Sequence, residues 1–257
     1  MHYVESGAGT PLVLLHAFPV DGRMWDEVRP RLDSQVRVIA PDVGGLGASA
    51  AEVDEPGIDV AAAGVLGLLD RLELDRVVLG GCSMGGYVAM ALLRAAPERV
   101  AGLLLADTKA VADDADQRAN RLSVAERAER EGTAGWLAES SAANLVGRAS
   151  HDQRPEVVAR VRGLIEDQPA AGVAWSQRAM AARPDSTAVL RSFTGPALVV
   201  VGAEDVLTPP AAAQVLADAV PGGELVVLPE AGHLPPVETP EAFAAVVRTW
   251  LERTGLG

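Results

Sequence analysis

The sequence lacks the pair of cysteines that a disulfide needs, because Cys82 is its single cysteine. A disulfide framework, on which many small secreted domains depend, is therefore excluded within the chain. The N-terminal residues also lack the basic segment, apolar run and small residues of a signal peptide. Together these absences predict a cytoplasmic location.

Long apolar runs are missing as well. No stretch reaches the roughly 18 apolar residues that cross a bilayer, because glycine, proline or a charged residue interrupts each one. A surplus of positive charge is also absent, since 22 Lys and Arg against 35 Asp and Glu give a net charge of -13. That charge repels phosphate backbones and anionic lipid. We therefore expect a soluble protein that binds neither nucleic acid nor membranes.

The residues that are present favour a folded chain with one sizeable core. Hydrophobic residues make up 49% of the 257 residues and charged residues 22%, a composition typical of globular proteins. Short apolar runs alternate with longer helical patterns, which is typical of strands joined by crossover helices. The sequence therefore predicts an α/β fold with a mostly parallel central sheet flanked by helices.

Six short runs are the predicted parallel strands: residues 12–16, 36–40, 77–82, 100–106, 197–202 and 224–228. The runs 100–106 and 197–202 are almost wholly apolar, as expected of interior strands covered on both faces. Residues 2–5 are predicted to add an antiparallel edge strand, paired through a turn at residues 6–10.

The residue pattern changes between Asp107 and about Leu190, where Ala, Arg and Glu recur in helical spacing and no segment resembles a strand. Leu122, Trp136 and Trp175 lie in stretches compatible with amphipathic helices. We interpret residues 108–190 as a helical cap inserted into a core formed by residues 1–107 and 191–257. A cap over the carboxyl ends of the strands would act as a lid.

A G-x-S-x-G motif, formed by Gly81, Ser83 and Gly85, stands directly after a predicted strand and before a helical pattern. A sharp strand-to-helix turn exposes such a serine as a nucleophile, and the glycines leave room for the strained backbone. The alternative is a glycine-rich turn used only for packing. Cys82 is interpreted as a buried packing residue. Successive residues at a strand end point to opposite sides, so Cys82 and Ser83 cannot both face the cleft.

His233 is the candidate base among four histidines. It follows the predicted strand 224–228 and a glycine-containing loop, and Glu238, Thr239 and Pro240 after it resemble a helix start. This places it at the carboxyl end of the last strand, where α/β sheets build their sites. The alternative is a solvated loop histidine.

Asp205 is the candidate carboxylate that orients His233. It follows the strand 197–202 and precedes Thr208, a candidate helix N-cap before two prolines. The order Ser, Asp, His along the chain fits a hydrolase triad. Asp107, at the end of the strand 100–106, is the competing candidate.

Acyl transfer needs two N–H donors aimed at the developing oxyanion. The residue after the nucleophile, Met84, supplies one, and Phe18, in the turn after the first predicted parallel strand, is the candidate for the other. His16 in the same turn is interpreted as a structural residue. Phe18, Trp25 and Met84 are predicted to form apolar walls of the substrate site, with plain core positions as the alternative.

The segments "HAFP", "APDVGGLGAS", "GGCSMGG", "GAEDVLTPP" and "AGHLPPVETPEAF" resemble the α/β-hydrolase superfamily in order and spacing over nearly the whole chain. Within it the chain is similar to small carboxylesterases and 3-oxoadipate enol-lactonase-like hydrolases. The resemblance implies Ser83, Asp205 and His233 as triad, and Phe18 and Met84 as oxyanion donors. The chain departs from the usual His-Gly pair with Ala17, and from the usual Arg-Gly-His-Gly loop with a glycine-rich segment at residues 44–47.

These features predict a serine hydrolase that cleaves a small carboxylic ester or lactone through an acyl-enzyme on Ser83, with no metal or organic cofactor. The alternatives are peroxyacid formation or C–C bond hydrolysis by the same three residues, and a ligand-binding protein with slow turnover. The natural substrate stays open. So does the oligomeric state, including whether the chain forms a homo-oligomer.

Overall fold

The protein is described by a computed structural model over residues 1–51 and 54–257. Within these residues the strands form a single seven-stranded sheet. The strands are β1 (Tyr3–Ser6), β2 (Thr10–Leu15), β3 (Val36–Pro41), β4 (Val77–Cys82), β5 (Val100–Ala106), β6 (Ala197–Gly202) and β7 (Glu224–Leu228). The predicted α/β fold with a mostly parallel sheet is confirmed.

The strand order is β1-β3-β2-β4-β5-β6-β7, and only β1 runs antiparallel to its neighbour. The predicted edge strand exists, but its expected pairing with the next strand along the chain is wrong. β1 pairs with β3, Tyr3 opposite Pro41, because β2 already has β3 on one side and β4 on the other. The turn after β1 therefore crosses to the far side of β3.

The strands β4, β5 and β6 form the middle of the core. Every residue of β4 and β6 is buried, and β5 is buried except for a half-buried Ala101. Strands enclosed on both faces have no polar side to solvate, which is why these segments read as continuous apolar runs. Their carboxyl ends lie side by side, so the loops that follow them meet at one edge of the sheet.

Helices connect and cover the strands. In chain order they are α1 (Arg29–Leu32), α2 (Ile58–Arg71), α3 (Met84–Ala95), α4 (Ala115–Glu131), α5 (Trp136–Leu145), α6 (Arg148–Gln153), α7 (Pro155–Glu166), α8 (Ala170–Ala182), α9 (Thr187–Ser192), α10 (Pro210–Ala219), α11 (Pro235–Glu238) and α12 (Pro240–Thr254), with short 3₁₀ turns at Gly22–Trp25 and Pro97–Arg99. Within residues 1–51 and 54–257, none of them has the length and apolar character required to cross a membrane.

The segment between β5 and β6 is helical, from α4 to α9. Asp114 caps the first of these helices, accepting from the Gln117 N–H while the Gln117 side chain accepts from the Asp114 N–H. This reciprocal pair satisfies two backbone donors and sets where α4 begins. α4 then packs against α8. The division of the chain into a core and a cap at residues 108–190 stays a prediction.

Candidate active site

Ser83 occupies the sharp turn between β4 and α3. Its backbone has φ 52° and ψ -112°, a conformation that non-glycine residues rarely adopt. The glycines on either side permit the turn, because a Cβ on Gly81 would collide with the Gly85 backbone, and one on Gly85 with the Leu15 backbone. The Ser83 N–H also donates to the Ala106 carbonyl at 2.9 Å. The turn therefore lifts the hydroxyl off the end of the sheet and holds it there.

Ser83, His233 and Asp205 form one hydrogen-bonded chain. Ser83 Oγ lies 2.8 Å from His233 Nε2, and His233 Nδ1 lies 2.8 Å from Asp205 Oδ2. Both the imidazole and the carboxylate are almost fully buried. Since the carboxylate accepts from Nδ1–H, the other ring nitrogen is left as the acceptor for the serine hydroxyl.

Asp205 is held as an ion by the loop that follows β6. Its carboxylate accepts from the Leu207 N–H at 2.8 Å, the Thr208 N–H at 3.1 Å and the Thr208 hydroxyl at 2.6 Å. Burial favours the neutral acid, but the hydrogen bond and charge of His233 and the Thr208 donors outweigh it and lower the pKa of Asp205 to about 2. The expected N-cap role of Thr208 is wrong, because α10 begins at Pro210 and the hydroxyl donates to Asp205 instead.

Asp107, the competing carboxylate, lies beside this chain but outside it. Carboxylate oxygens of Asp107 and Asp205 and a ring nitrogen of His233 fall within 4.8 Å of one another. Asp107 Oδ1 accepts from the Gly202 N–H at 2.9 Å, and among the described residues its Oδ2 has no partner. Burial, and then the neighbouring Asp205 charge, raise the pKa of Asp107 well above its usual range. Asp205 is therefore the carboxylate that bonds to the histidine.

Two backbone N–H groups, of the residue that follows Ser83 and of a residue that lines the same pocket, have no acceptor among the described residues. Met84 is the first residue of α3, so its N–H has no acceptor within the helix. Among the described residues, the Phe18 N–H also lacks a partner, and Phe18 lines the same pocket as Ser83. The start of α3 adds the positive end of a helix dipole at this point. The surroundings of the serine hydroxyl thus favour negative charge.

Comparison with known proteins agrees with this geometry. A family model of the α/β hydrolase fold matches residues 10–240, most of the chain. The chain belongs to the α/β-hydrolase family. In this family the sheet supports the reacting groups at the carboxyl ends of its strands, which is where this α/β hydrolase carries Ser83, Asp205 and His233.

Three relatives illustrate the range of activities around the chain. A thermophilic esterase from Thermogutta terrifontis, solved with malate bound, is 40% identical with a TM-score of 0.96, over 98% of this chain and 93% of that one. The 3-oxoadipate enol-lactonase 2 of Acinetobacter baylyi is 28% identical over 94% of this chain and 88% of its own length. The dihydrolipoyllysine-residue acetyltransferase component of the acetoin cleaving system of Pseudomonas putida is 34% identical over 91% of this chain, which spans only 61% of that relative.

Of the three residues expected to form apolar walls of the site, one lines the pocket and two are buried in the core. Phe18 lines the pocket, whereas Trp25 is fully buried and packs its ring 5.9 Å from that of Phe243. The Met84 side chain is 2% exposed and points into the core. The prediction for Trp25 and for the Met84 side chain is therefore wrong, because the 3₁₀ turn and the helix start direct both side chains inward.

His16 and Cys82 have the structural positions expected of them. His16 Nδ1 donates to the Ala17 carbonyl at 2.9 Å, and its Nε2 accepts from the Val43 N–H at 2.9 Å. Burial lowers the pKa of His16, so the neutral ring joins two loops. Cys82 is fully buried, and burial raises the pKa of its thiol well above the usual range. A buried, protonated thiol is a poor nucleophile.

Glu238 is a buried carboxylate whose role the sequence did not indicate. Its Oε1 accepts from the N–H groups of Gly232 and Leu234, the two residues that flank the site's histidine, at 2.8 and 3.2 Å. Its Oε2 accepts from the Gly147 N–H and the Ser150 hydroxyl, both at 2.7 Å. One side chain therefore fixes the histidine loop and ties it to the helical segment above.

The pocket of this α/β hydrolase has a volume of about 280 Å³ and is half polar. The side around Ser83 is formed by Phe18, Ser83, Leu207, Thr208 and His233. The remaining lining residues come from α3, the segment after β5, α4 and α8: Tyr87, Lys109, Asp113, Gln117, Asn120, Arg121, Gln177 and Met180. The sequence did not indicate these polar residues, because packing between separate helices brings them together.

Proposed function

We propose that this α/β hydrolase cleaves a small carboxylic ester or lactone through an acyl-enzyme on Ser83. The hydrogen-bonded chain from the Ser83 hydroxyl through His233 to Asp205 carries the proposal, with both links at 2.8 Å. A serine hydroxyl is a weak nucleophile by itself and needs a base within hydrogen-bond reach. That base is present, correctly oriented, and opens onto a pocket for a small molecule.

In the first half of the reaction, Ser83 Oγ attacks the carbonyl carbon as its proton moves to His233 Nε2. The carbonyl π electrons move onto the oxygen, and the N–H groups of Phe18 and Met84 bind the resulting oxyanion. The C–O bond to the alcohol then breaks as the oxyanion reforms the carbonyl, and His233 gives its proton to the leaving oxygen. For a lactone, that alcohol stays attached to the acyl group.

In the second half, water replaces the alcohol. His233 removes a proton from water, whose oxygen attacks the acyl carbon and forms a second oxyanion in the same place. The bond to Ser83 Oγ breaks, the serine recovers a proton from His233, and the acid leaves. Asp205 stays ionised throughout and stabilises the imidazolium that forms in each half.

The test is labelling with a fluorophosphonate, read by intact mass, which requires no knowledge of the substrate. We expect one adduct on the wild type, none on Ser83→Ala, and strongly slowed labelling of His233→Ala. Ser192→Ala is a matched control, because this exposed serine donates, within the part of the chain that the structure describes, only to the Val189 carbonyl in α9. It should label at the wild-type rate.

Absence of an adduct on folded wild type, or an adduct that survives Ser83→Ala, would contradict the proposal and favour a ligand-binding role. Labelling confined to Ser83, followed by turnover of esters or lactones in a substrate panel, would support it. Turnover only of C–C or peroxyacid substrates would keep the nucleophile and overturn the proposed reaction.

A further inference from the structure

One wall of the pocket that contains Ser83 carries a group of basic side chains. Lys109 lies in the segment after β5, Arg121 on α4, and both line the pocket. Behind them, Arg183 stacks its guanidinium 4.0 Å from the centre of the Tyr87 ring, another lining residue. This wall is positive although the whole chain has a net charge of -13.

All three cations converge on one buried carboxylate, Asp113. Lys109 Nζ lies 3.1 Å from it and Arg183 lies 2.7 Å from it, while Arg121 Nε donates to it at 2.5 Å. Burial opposes ionisation of Asp113, but the hydrogen bonds of Arg183 and Arg121 dominate and hold its pKa below the usual range. One cation neutralises one carboxylate. The three cations and Asp113 together therefore have a formal charge of +2, which is more positive charge than is needed to neutralise Asp113.

The cations also keep donors that the described residues do not use. An ammonium has three donors. Lys109 directs one toward Asp113 and donates another to the Gln117 side chain at 2.9 Å. Arg121 uses Nε and Nη1. Within residues 1–51 and 54–257, its Nη2 has no partner. Asp113 is the only carboxylate among the described residues that line the pocket.

Lys109 is the single lysine of the sequence, whereas the other 21 basic residues are arginines. Its side chain is 16% exposed and lines the pocket. An ammonium is a compact charge on a flexible stem, which adapts to a carboxylate in more orientations than a guanidinium does. The chain thus places its one adaptable cation beside its candidate nucleophile.

We infer that Lys109 and Arg121 bind an ionised carboxylate of the substrate, so that the ester or lactone cleaved at Ser83 carries a second, free carboxylate. This inference rests on the proposed function of Ser83. The pocket volume of about 280 Å³ limits the substrate to a short chain between the two groups. A neutral ester of the same size offers no charged acceptor to the donors of Lys109 and Arg121 that Asp113 leaves unused.

The test compares two matched substrates: the 4-nitrophenyl half-ester of glutaric acid, and the same ester with a primary amide in place of the free carboxylate. Background hydrolysis without enzyme is subtracted. We expect the wild type to prefer the carboxylate by at least about tenfold in kcat/KM, the size of a charge-assisted hydrogen bond. Lys109→Gln should remove most of this preference by slowing only the charged ester, and Lys109→Arg should restore part of it.

Arg118→Gln is the matched control, because Arg118 lies on α4 next to the wall but is exposed and does not line the pocket. It should keep the wild-type preference. Fluorophosphonate labelling of Ser83 is measured on every variant, so that loss of the nucleophile is separated from loss of selectivity.

Equal rates on the two esters by wild type that labels at Ser83 would overturn the inference and leave the proposed function intact. This comparison needs no variant, so it holds even where a substitution impairs folding. Equal slowing of both esters by Lys109→Gln would also overturn it. Absence of labelling and of turnover would overturn both the proposed function and the inference.

Discussion

The ends of β5 and β6 each carry a buried aspartate, and the two carboxylates differ in the hydrogen-bond donors around them. Asp205, after β6, accepts hydrogen bonds from the His233 ring, the Thr208 hydroxyl and two backbone N–H groups. Asp107, after β5, accepts from one backbone N–H. Burial favours the neutral form of both acids. The donors lower the pKa of Asp205 to about 2, whereas that of Asp107 stays well above its usual range.

The difference comes from the residues that follow each strand. After β6 the chain turns back, so that the N–H and hydroxyl of Thr208 reach the carboxylate of Asp205. After β5 the next hydroxyl, that of Thr108, donates instead to the Ser83 carbonyl at 2.8 Å. The end of β6 thus holds a charge beside His233 and orients its ring. The end of β5 supports the turn that carries Ser83.

Exchanging each aspartate for asparagine tests this contrast most strongly. Asp205→Asn removes the charge that stabilises the imidazolium and turns an amide toward His233, so kcat should fall by about 10⁴-fold. Asp107→Asn keeps an oxygen for the Gly202 N–H and should stay within about tenfold of wild type. The measurement is kcat/KM on one aryl ester for both variants, with folding checked by circular dichroism. Similar losses in the two variants would mean that both acids share one role.

The sequence was sufficient to find the residues that strand ends position. Ser83, Asp205 and His233 each follow an apolar run and precede a helical pattern, and parallel strands bring their carboxyl ends to one edge. The turn around Ser83 requires glycines for steric reasons, so the G-x-S-x-G pattern can be recognised in the sequence. The choice between Asp205 and Asp107 was harder, because it depends on donors whose directions only the folded loops fix.

Features that depend on packing between distant elements were not predictable in this way. Trp25 was expected at the pocket and lies in the core, because its spacing does not reveal the direction of a 3₁₀ turn. Lys109, Asp113 and Arg121 form a group only when α4 packs against α8. Glu238 resembled an ordinary helix start, although its four donors come from two separate segments.

Glu238 extends the comparison of buried carboxylates. Like Asp205 it accepts from several donors, but its partners are loop and helix groups and not the His233 ring. A glutamine there has one acceptor oxygen and would turn its amide N–H groups toward two of the four donors. We expect Glu238→Gln to lower the free energy of unfolding by roughly 2–4 kcal/mol, since buried donors left unpaired cost about 1–3 kcal/mol each. Chemical denaturation measures this, and kcat should fall as the His233 loop loosens.

Glu204→Gln is the matched control for that variant. Glu204 is half-buried, and among the described residues it accepts only from the Ala149 N–H, at 2.8 Å, which a glutamine oxygen also satisfies. Its free energy of unfolding should change by less than about 1 kcal/mol. Equal effects of the two substitutions would show that the donors of Glu238 are replaceable by water, and that the carboxylate does not fix the histidine loop.

The two aspartates should also differ in how they make the free energy of unfolding depend on pH, and this is the smallest of the expected effects. Unfolded Asp107 ionises near its ordinary pKa of 3.8, whereas the folded protein keeps the proton to a much higher pH. Between these values the unfolded chain binds fewer protons, so this group lowers stability as pH rises, by up to about 1.4 kcal/mol per pH unit. Asparagine has no proton to lose. The stability of Asp107→Asn relative to wild type should therefore increase as pH rises above 3.8.

Asp205 should show the opposite sign. Its pKa is lowered from 3.8 to about 2, so its contribution is fully present above about pH 5 and is lost as pH falls through 2. The stability of Asp205→Asn relative to wild type should accordingly be constant above about pH 5, whereas that of Asp107→Asn should rise with pH above 3.8. A constant difference for Asp107→Asn as well would mean that the folded protein ionises both acids. The unpartnered oxygen of Asp107 would then need a donor that the fold does not supply, and the contrast between the two strand ends would fail.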